Sequence, residues 1–342
     1  MIDLLVAGGG PAGLATAIHA ALAGLEVVVA EPRPTPVDKA CGEGLMPAAV
    51  GALAALGVPL EGHPLLGIRY LDAHHQAEAR FSGPPGLGVR RTDLHAALAH
   101  RAADLGVQVL ARRVDAVRQS ADSVTAAGIT ARYLAAADGL HSPIRRSLGL
   151  DAGPGRRTPR YGLRRHFAVP PWSDCVEVHW SARAEAYVTP VGPGLVGVAV
   201  LTGDRAPFDH HLAAFPQLAA RLPPAAATAA RGAGPLRQRA RTRVAGRVLL
   251  VGDAAGYVDA LTGEGIALAL GAAARLVHHV RADRPQEYDR AWRRGSRRHR
   301  LLTGSLLWLR GQPGLATHIV PTAARFPALF ATAVNQLARP AG

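Results

Sequence analysis

The first thirty-one residues restrict most what this chain can fold into. An apolar run, Ile2 to Ala7, meets Gly8-Gly9-Gly10-Pro11-Ala12-Gly13, and a second apolar run, Val27-Val28-Val29-Ala30, closes on Glu31. Strand, glycine turn, helix, strand and acid in that order make a dinucleotide-binding unit. Gly8, Gly10 and Gly13 supply the tight turn, the close backbone approach to a pyrophosphate and the close packing of helix on strand. Pro11 and Ala12 open the helix, whose N-terminus faces the phosphates. Glu31, with Pro32 and Arg33 directly after it, stands where an acid accepts hydrogen bonds from an adenosine ribose.

With 342 residues, 49% of them hydrophobic, the chain can fill a sizeable core in one large or two ordinary domains. It opens directly into a buried strand and carries no uninterrupted apolar stretch of membrane-spanning length, so a cytoplasmic protein is expected. Cys41 and Cys175 are the only cysteines, too few for a disulfide framework and badly placed for a metal site; no metal is expected. The net charge of +14 raises the question of nucleic acid. Arginine supplies every Lys/Arg position except Lys39 and is scattered through an alanine-rich chain, so no nucleic-acid partner is expected. The densest cluster, Arg290, Arg293, Arg294, Arg297, Arg298 and Arg300, precedes Leu301-Leu302 and Leu306-Leu307-Trp308-Leu309. A solvated helix face accounts for it, with contact to an anionic membrane surface as the sharper alternative.

Strands near 2–7 and 27–31 alternate with helices near 11–23, 46–56 and 92–105, an α/β pattern. A further parallel strand is expected at 106–110, a small antiparallel excursion over Val114–Ala127 and Ile129–Leu134, and a return to the sheet over Arg132–Ala137. Between 160 and 205 the pattern turns β-rich, with Tyr161 to Val169, Val176 to Trp180, Ala186 to Pro190 and Val196 to Leu201 set apart by proline and glycine. The strand Val248 to Val251 then runs into Gly252-Asp253-Ala254-Ala255-Gly256. The expected fold is a Rossmann-like nucleotide domain built from 1–65, 88–158 and 240–282, an inserted β-rich substrate domain from 66–87 and 159–239, and C-terminal helices over 283–342.

Three more signals fall where a flavoprotein needs them. Ala137-Asp138-Gly139, followed by Ser142 and Arg145, ends an apolar strand and can bring backbone close to a dinucleotide. Gly252-Asp253 places a carboxylate where a polyol such as ribityl can donate to it. Gly263-Glu264-Gly265 opens the helix Ile266 to Val280, whose positive end can stabilise negative charge on a reduced isoalloxazine. Together these resemble the FAD-dependent aromatic hydroxylases and geranylgeranyl reductases, with a glutathione-reductase type of FAD-binding fold, over most of the chain to about residue 280. The resemblance implies FAD contacts at Gly8, Gly10, Gly13 and Glu31, at Arg91 of Arg91-Thr92-Asp93-Leu94, at Asp138 and Gly139, and at Asp253. It also implies NAD(P)H as a transient reductant with no second nucleotide domain. Ala260 stands where the family usually has proline. Gly256 and Cys41-Gly42-Glu43-Gly44 are similar to the reductase branch, whose cysteine-glycine motif lies beside the flavin.

The resemblance implies an FAD-dependent monooxygenase that hydroxylates an aromatic or polyketide-like small molecule of secondary metabolism with NAD(P)H and O2. Reduction of isoprenoid double bonds is the alternative, and a non-catalytic flavin-binding scaffold the alternative of another class. Such chemistry needs a dry pocket and a positioned acid or base more than a fixed triad. Glu43 is a candidate for touching substrate, against a helix-capping or solvated carboxylate. Cys41 is either packing or a proton source to carbon. Tyr187, Asp259 and His166 are further candidates for that acid or base; Tyr187 alternates into or out of the pocket wall of the second sheet, with packing alone as its other reading, and His166 otherwise reads as a satisfied surface histidine.

Overall fold

The computed structural model describes residues 1–153, 155 and 158–339, so the last three residues of the expected 283–342 segment, and 154, 156 and 157 of the 88–158 segment, lie outside it. The valine- and leucine-rich strand Ile2–Ala7 sits at the centre of the larger sheet, flanked in parallel by Val27–Ala30 and Ile129–Ala136. Gln108–Leu110 extends the sheet on one side and Val248–Leu250 on the other, both parallel. Parallel strands covered by helices read as unbroken apolar runs, and Leu4, Leu5, Val6, Leu249 and Leu250 are fully buried here. Helix Pro11–Leu22 crosses between the first two strands with proline in its first turn, the position where a missing N–H costs nothing.

The excursion and the return expected over Ile129–Leu134 and Arg132–Ala137 are one strand. Its start pairs antiparallel with Val124–Ala126 and its length pairs parallel with Ile2–Ala7, so a hairpin arm and a core strand share one backbone. Within Val114–Ala127 only Val117–Gln119 and Val124–Ala126 are strands.

A second, seven-stranded sheet runs Arg231–Ala233, Tyr161–Phe167, Leu195–Thr202, Ala184–Gly192, Cys175–Trp180, Gly67–Leu71, Gln76–Arg80. All its pairings are antiparallel except Cys175–Trp180 with Gly67–Leu71. A small third sheet joins Gly44–Leu45, Gly86–Gly88 and His63–Leu65 and lies against Ala184–Gly192 of the second, a feature that two- and three-residue strands do not announce in sequence. Helices Gly265–Arg281 and Glu287–Arg310 follow, then shorter ones to Ala338. No helix of the described residues is long and apolar enough to cross a membrane.

Candidate active site

Three glycine turns meet at the carboxyl ends of the parallel strands. A Cβ on Gly8, whose φ is +107°, would stand 2.5 Å from the carbonyl oxygen of Ala137, and one on Gly13 would stand 1.8 Å from the carbonyl oxygen of Gly8. A Cβ on Gly252 would meet the Cβ of Ala12 at 2.5 Å. The glycines therefore let the first turn lie against both the Asp138-Gly139 turn and the Gly252-Asp253 turn. Gly10 differs: its added Cβ would find only an Arg91 nitrogen at 4.0 Å, so the protein itself does not demand glycine there. No side chain caps helix Pro11–Leu22, and its first N–H groups are left for a ligand.

Glu31 is buried and its carboxylate is shared among protein donors, Gly9 N at 2.8 Å and the Arg33 backbone and guanidinium at 2.7 to 3.0 Å. Burial alone would raise its pKa, but the hydrogen bonds from Arg33 and Gly9 outweigh it and hold the carboxyl below its ordinary range. A lowered folded value means that Glu31 contributes stability above its unfolded pKa and loses it as pH falls through the lowered one. We expect acid titration below about pH 4.5 to loosen this turn first, read as FAD release ahead of global unfolding by circular dichroism.

Asp138 accepts from the N–H of Ile144 at 3.0 Å, and Ser142 accepts from that of Arg145 at 2.9 Å; both fasten the short helix Pro143–Ser147. The second oxygen of Asp138 is buried without a partner. Arg145 itself, 1% exposed, ties this turn to the next by donating to the carbonyls of Ala254 (3.0 Å) and Leu140 (3.1 Å) and to Gln238 (2.6 Å). The Nε of Arg91 is likewise buried and unpartnered. The Asp253 carboxylate has no hydrogen bond among the described residues; burial pushes its pKa up, and Lys39, Arg91 and Arg145 oppose that rise. Lys39, the one lysine, lies with Nζ 3.0 Å from where a Cβ on Gly139 would stand. Sequence reading passed over it, and over His95, which bonds the Gly9 carbonyl at 2.8 Å from four residues beyond Arg91. Orphaned donors and acceptors around a glycine cradle fit a phosphate- and hydroxyl-rich dinucleotide.

The segment Cys41–Gly44 is held by the second sheet. Thr189 donates to the Gly42 carbonyl at 2.8 Å, and the buried Glu43 meets His166 Nε2 at 2.6 Å and accepts from the Arg91 N–H at 2.9 Å. Glu43 therefore caps helix Arg91–Asp104 while pairing across the interface of the two sheets, and it takes a left-handed φ of 60° to do so. His166 is not at the surface: it is 0% exposed, faces inward from Tyr161–Phe167, and fits because Gly197 on the adjacent strand leaves the space its partner Glu43 occupies. Arg164 joins the group through His166 Nδ1 at 3.1 Å and through Asp38.

Tyr187 and Asp259 hold the loop over the site. The Tyr187 hydroxyl donates to the Leu261 carbonyl at 2.9 Å, and Asp259 accepts from Arg160 at 3.0 Å and from the Leu261 N–H at 3.2 Å. Burial raises the pKa of both. Tyr187→Phe leaves a buried carbonyl unpaired and is expected to lower stability by about 1 to 3 kcal/mol, read by thermal melting, with the flavin spectrum retained. Glycine-flanked helix Gly265–Arg281 begins where this loop ends, with Ile266 in its first turn.

The sequence profile of the FAD binding domain family matches residues 1–197. The chain belongs to this family. A menaquinone reductase of Mycolicibacterium smegmatis is 30% identical across 85% of this flavoprotein and 79% of its own length. A digeranylgeranylglycerophospholipid reductase of Methanothermobacter thermautotrophicus is 27% identical across 85% and 82%. A 12-dehydrotetracycline 5-monooxygenase/anhydrotetracycline 6-monooxygenase of Streptomyces rimosus is 30% identical across 44% and 33%. Among solved structures, a flavoprotein/dehydrogenase from Cytophaga hutchinsonii superposes with a TM-score of 0.79 at 19% identity, covering 98% of this flavoprotein and 96% of that chain. The protein is an FAD-dependent oxidoreductase with a Rossmann-like α/β fold.

Proposed function

We propose that this flavoprotein reduces a carbon–carbon double bond in an isoprenoid-bearing small molecule, with NAD(P)H as the transient reductant. The observation that carries the reading is the state of Cys41. Burial, the dominant influence, and the negative charge of Glu43 push its thiol pKa up, and the positive charges of Arg91 and Arg164 work against that rise. Its Sγ accepts a hydrogen bond from the Glu43 N–H at 3.4 Å, and the neighbouring Gly42 is exposed with open space where a Cβ would stand. A protonated thiol at an open edge, with cations near to ease its transient negative charge, is a proton donor.

FAD, once reduced by NAD(P)H, would supply a hydride to one alkene carbon. The chain must deliver a proton to the other, so that two hydrogens are added and the thiol regains its proton from water. Gly8, Gly10, Gly13, Arg91, Asp138, Gly139 and Asp253 would hold the dinucleotide, with Lys39 near its phosphates or ribityl. Glu43, His166 and Thr189 would position the Cys41 loop. We take the second sheet, from 66–87 and 159–239, as the substrate-facing unit. The names of the two reductase relatives support the isoprenoid class.

The hydroxylation implied by the family resemblance is the second reading, supported by the monooxygenase relative. It asks for a base to deprotonate a phenol, and Glu43, Tyr187 and Asp259 are each engaged by protein partners. Mass spectrometry of products decides between the readings: a gain of two hydrogens with a prenyl substrate supports reduction, and a gain of one oxygen with a phenolic substrate supports hydroxylation.

A further inference from the structure

Behind the Gly252-Asp253 turn lies a cavity of about 350 Å³ between the 237–243 segment and helices Gly265–Arg281 and Glu287–Arg310. Of the residues expected to hold FAD only Gly252, Asp253 and Gly265 line it; none of Gly8 to Gly13, Glu31, Cys41 or Arg91 does. Its lining carries seven arginines and one carboxylate, Asp253. Asp289, outside the lining, pairs with Arg243 and Arg293; the positive charge that remains in a concave, partly desolvated space favours an anion.

Arg275 makes the case specific. The three buried arginines have carboxylates: Arg243 reaches Asp289 at 3.2 Å, Arg164 pairs with Asp38, and Arg145 lies 3.5 Å from Asp151. The side chain of the partly buried Arg275 has no hydrogen bond or ion pair among the described residues, and its Nε is fully buried. The guanidinium crosses the packing seam of the two helices at Gly295, where an added Cβ would stand 2.4 Å from Cζ. Directly after Gly295, the hydroxyl of Ser296, a residue only 5% exposed, is also buried without a partner and lines the same cavity. Trp292 closes the wall, with the Arg243 guanidinium 3.9 Å from its ring centroid and that of Arg300 at 5.6 Å. An unpaired guanidinium fork, a free hydroxyl and further exposed cations at the rim match the oxygens of a phosphate group.

We propose that this cavity is a second binding site, adjoining the dinucleotide groove at the Gly252-Asp253 turn, for the phosphate or diphosphate group of a small molecule. Arg275 and Ser296 are its inner ligands and Arg300 stands at its mouth. The site does not depend on the reaction assigned above, because its test reads binding and not turnover.

The test is isothermal titration of the FAD-loaded protein with sodium pyrophosphate, 2′,5′-ADP and geranyl diphosphate at fixed ionic strength. Saturable binding is expected, weakened about ten- to a hundredfold in Arg275→Met, the loss of a charge-assisted hydrogen-bonded pair. Because Met replaces an unpaired charge with an apolar chain of similar length, the variant without ligand should melt no lower than wild type. Gly295→Ala, which adds helix propensity while displacing the Arg275 fork, should weaken binding in the same way and guards against misfolding of the first variant. Tightest binding by 2′,5′-ADP would assign the phosphate to a nucleotide, tightest binding by geranyl diphosphate to a prenyl diphosphate, and equal binding to the phosphate group alone. Absence of saturable binding by all three, or equal affinity in wild type and both variants, would overturn the proposal.

Discussion

Gly13→Ala is expected to lose both FAD and stability, whereas Gly10→Ala loses FAD alone. The two positions belong to one fingerprint but answer to different constraints. At Gly13 an added methyl would stand 1.8 Å from the Gly8 carbonyl oxygen and 3.2 Å from the Ala137 side chain, each in the residue directly after a core strand. Backbone cannot yield as a flexible side chain can, so the cost should reach at least the upper end of ordinary overpacking, about 3 kcal/mol. At Gly10 the nearest atom is an Arg91 nitrogen at 4.0 Å, so the folded protein admits alanine and only an approaching pyrophosphate is obstructed. Thermal melts together with the flavin absorbance of the purified variants measure both effects. A Gly10→Ala protein that retains a full complement of FAD would mean that the cofactor does not approach this turn.

Cys41→Ala is expected to lower turnover of a prenyl substrate about a hundredfold or more while leaving FAD content and reduction by NAD(P)H intact, because a positioned general acid contributes roughly two to four orders of magnitude. Cys41→Ser restores a hydroxyl with a much higher pKa and should recover only part of the rate. The pH profile separates this role from packing. Turnover that depends on the protonated thiol falls as pH rises through its elevated pKa, and the alanine variant should lose that limb. Equal pH profiles in wild type and Cys41→Ala would leave Cys41 a packing residue.

Which parts of this arrangement can be read from the chain follows from the range of the interactions. The first turn and its helix were legible because Gly8, Gly10, Gly13 and Glu31 obey spacings fixed by local backbone geometry. The meeting of three glycine turns was legible through the family resemblance, since each turn alone is ordinary. The short strands of the third sheet carry no periodicity, and the parallel pairing of Cys175–Trp180 with Gly67–Leu71 joins segments with no turn between them to signal it. His166 was misread for the same reason: its partner Glu43 lies 123 residues away, and alternation along Tyr161–Phe167 does not say which face is inward. Lys39 and Arg275 show the opposite failure, since a basic residue in an arginine-rich chain draws no attention until the fold removes its neighbours.

The most direct test of the account is to reduce the FAD-loaded protein with NADPH under anaerobic conditions and then add a prenylated quinone or geranylgeranyl lipid while following the flavin absorbance. The account predicts that the oxidised spectrum returns without oxygen and that the substrate gains two hydrogens. Flavin that stays reduced with every prenyl compound, and reoxidises only when oxygen and a phenolic substrate are supplied with oxygen appearing in the product, would contradict it.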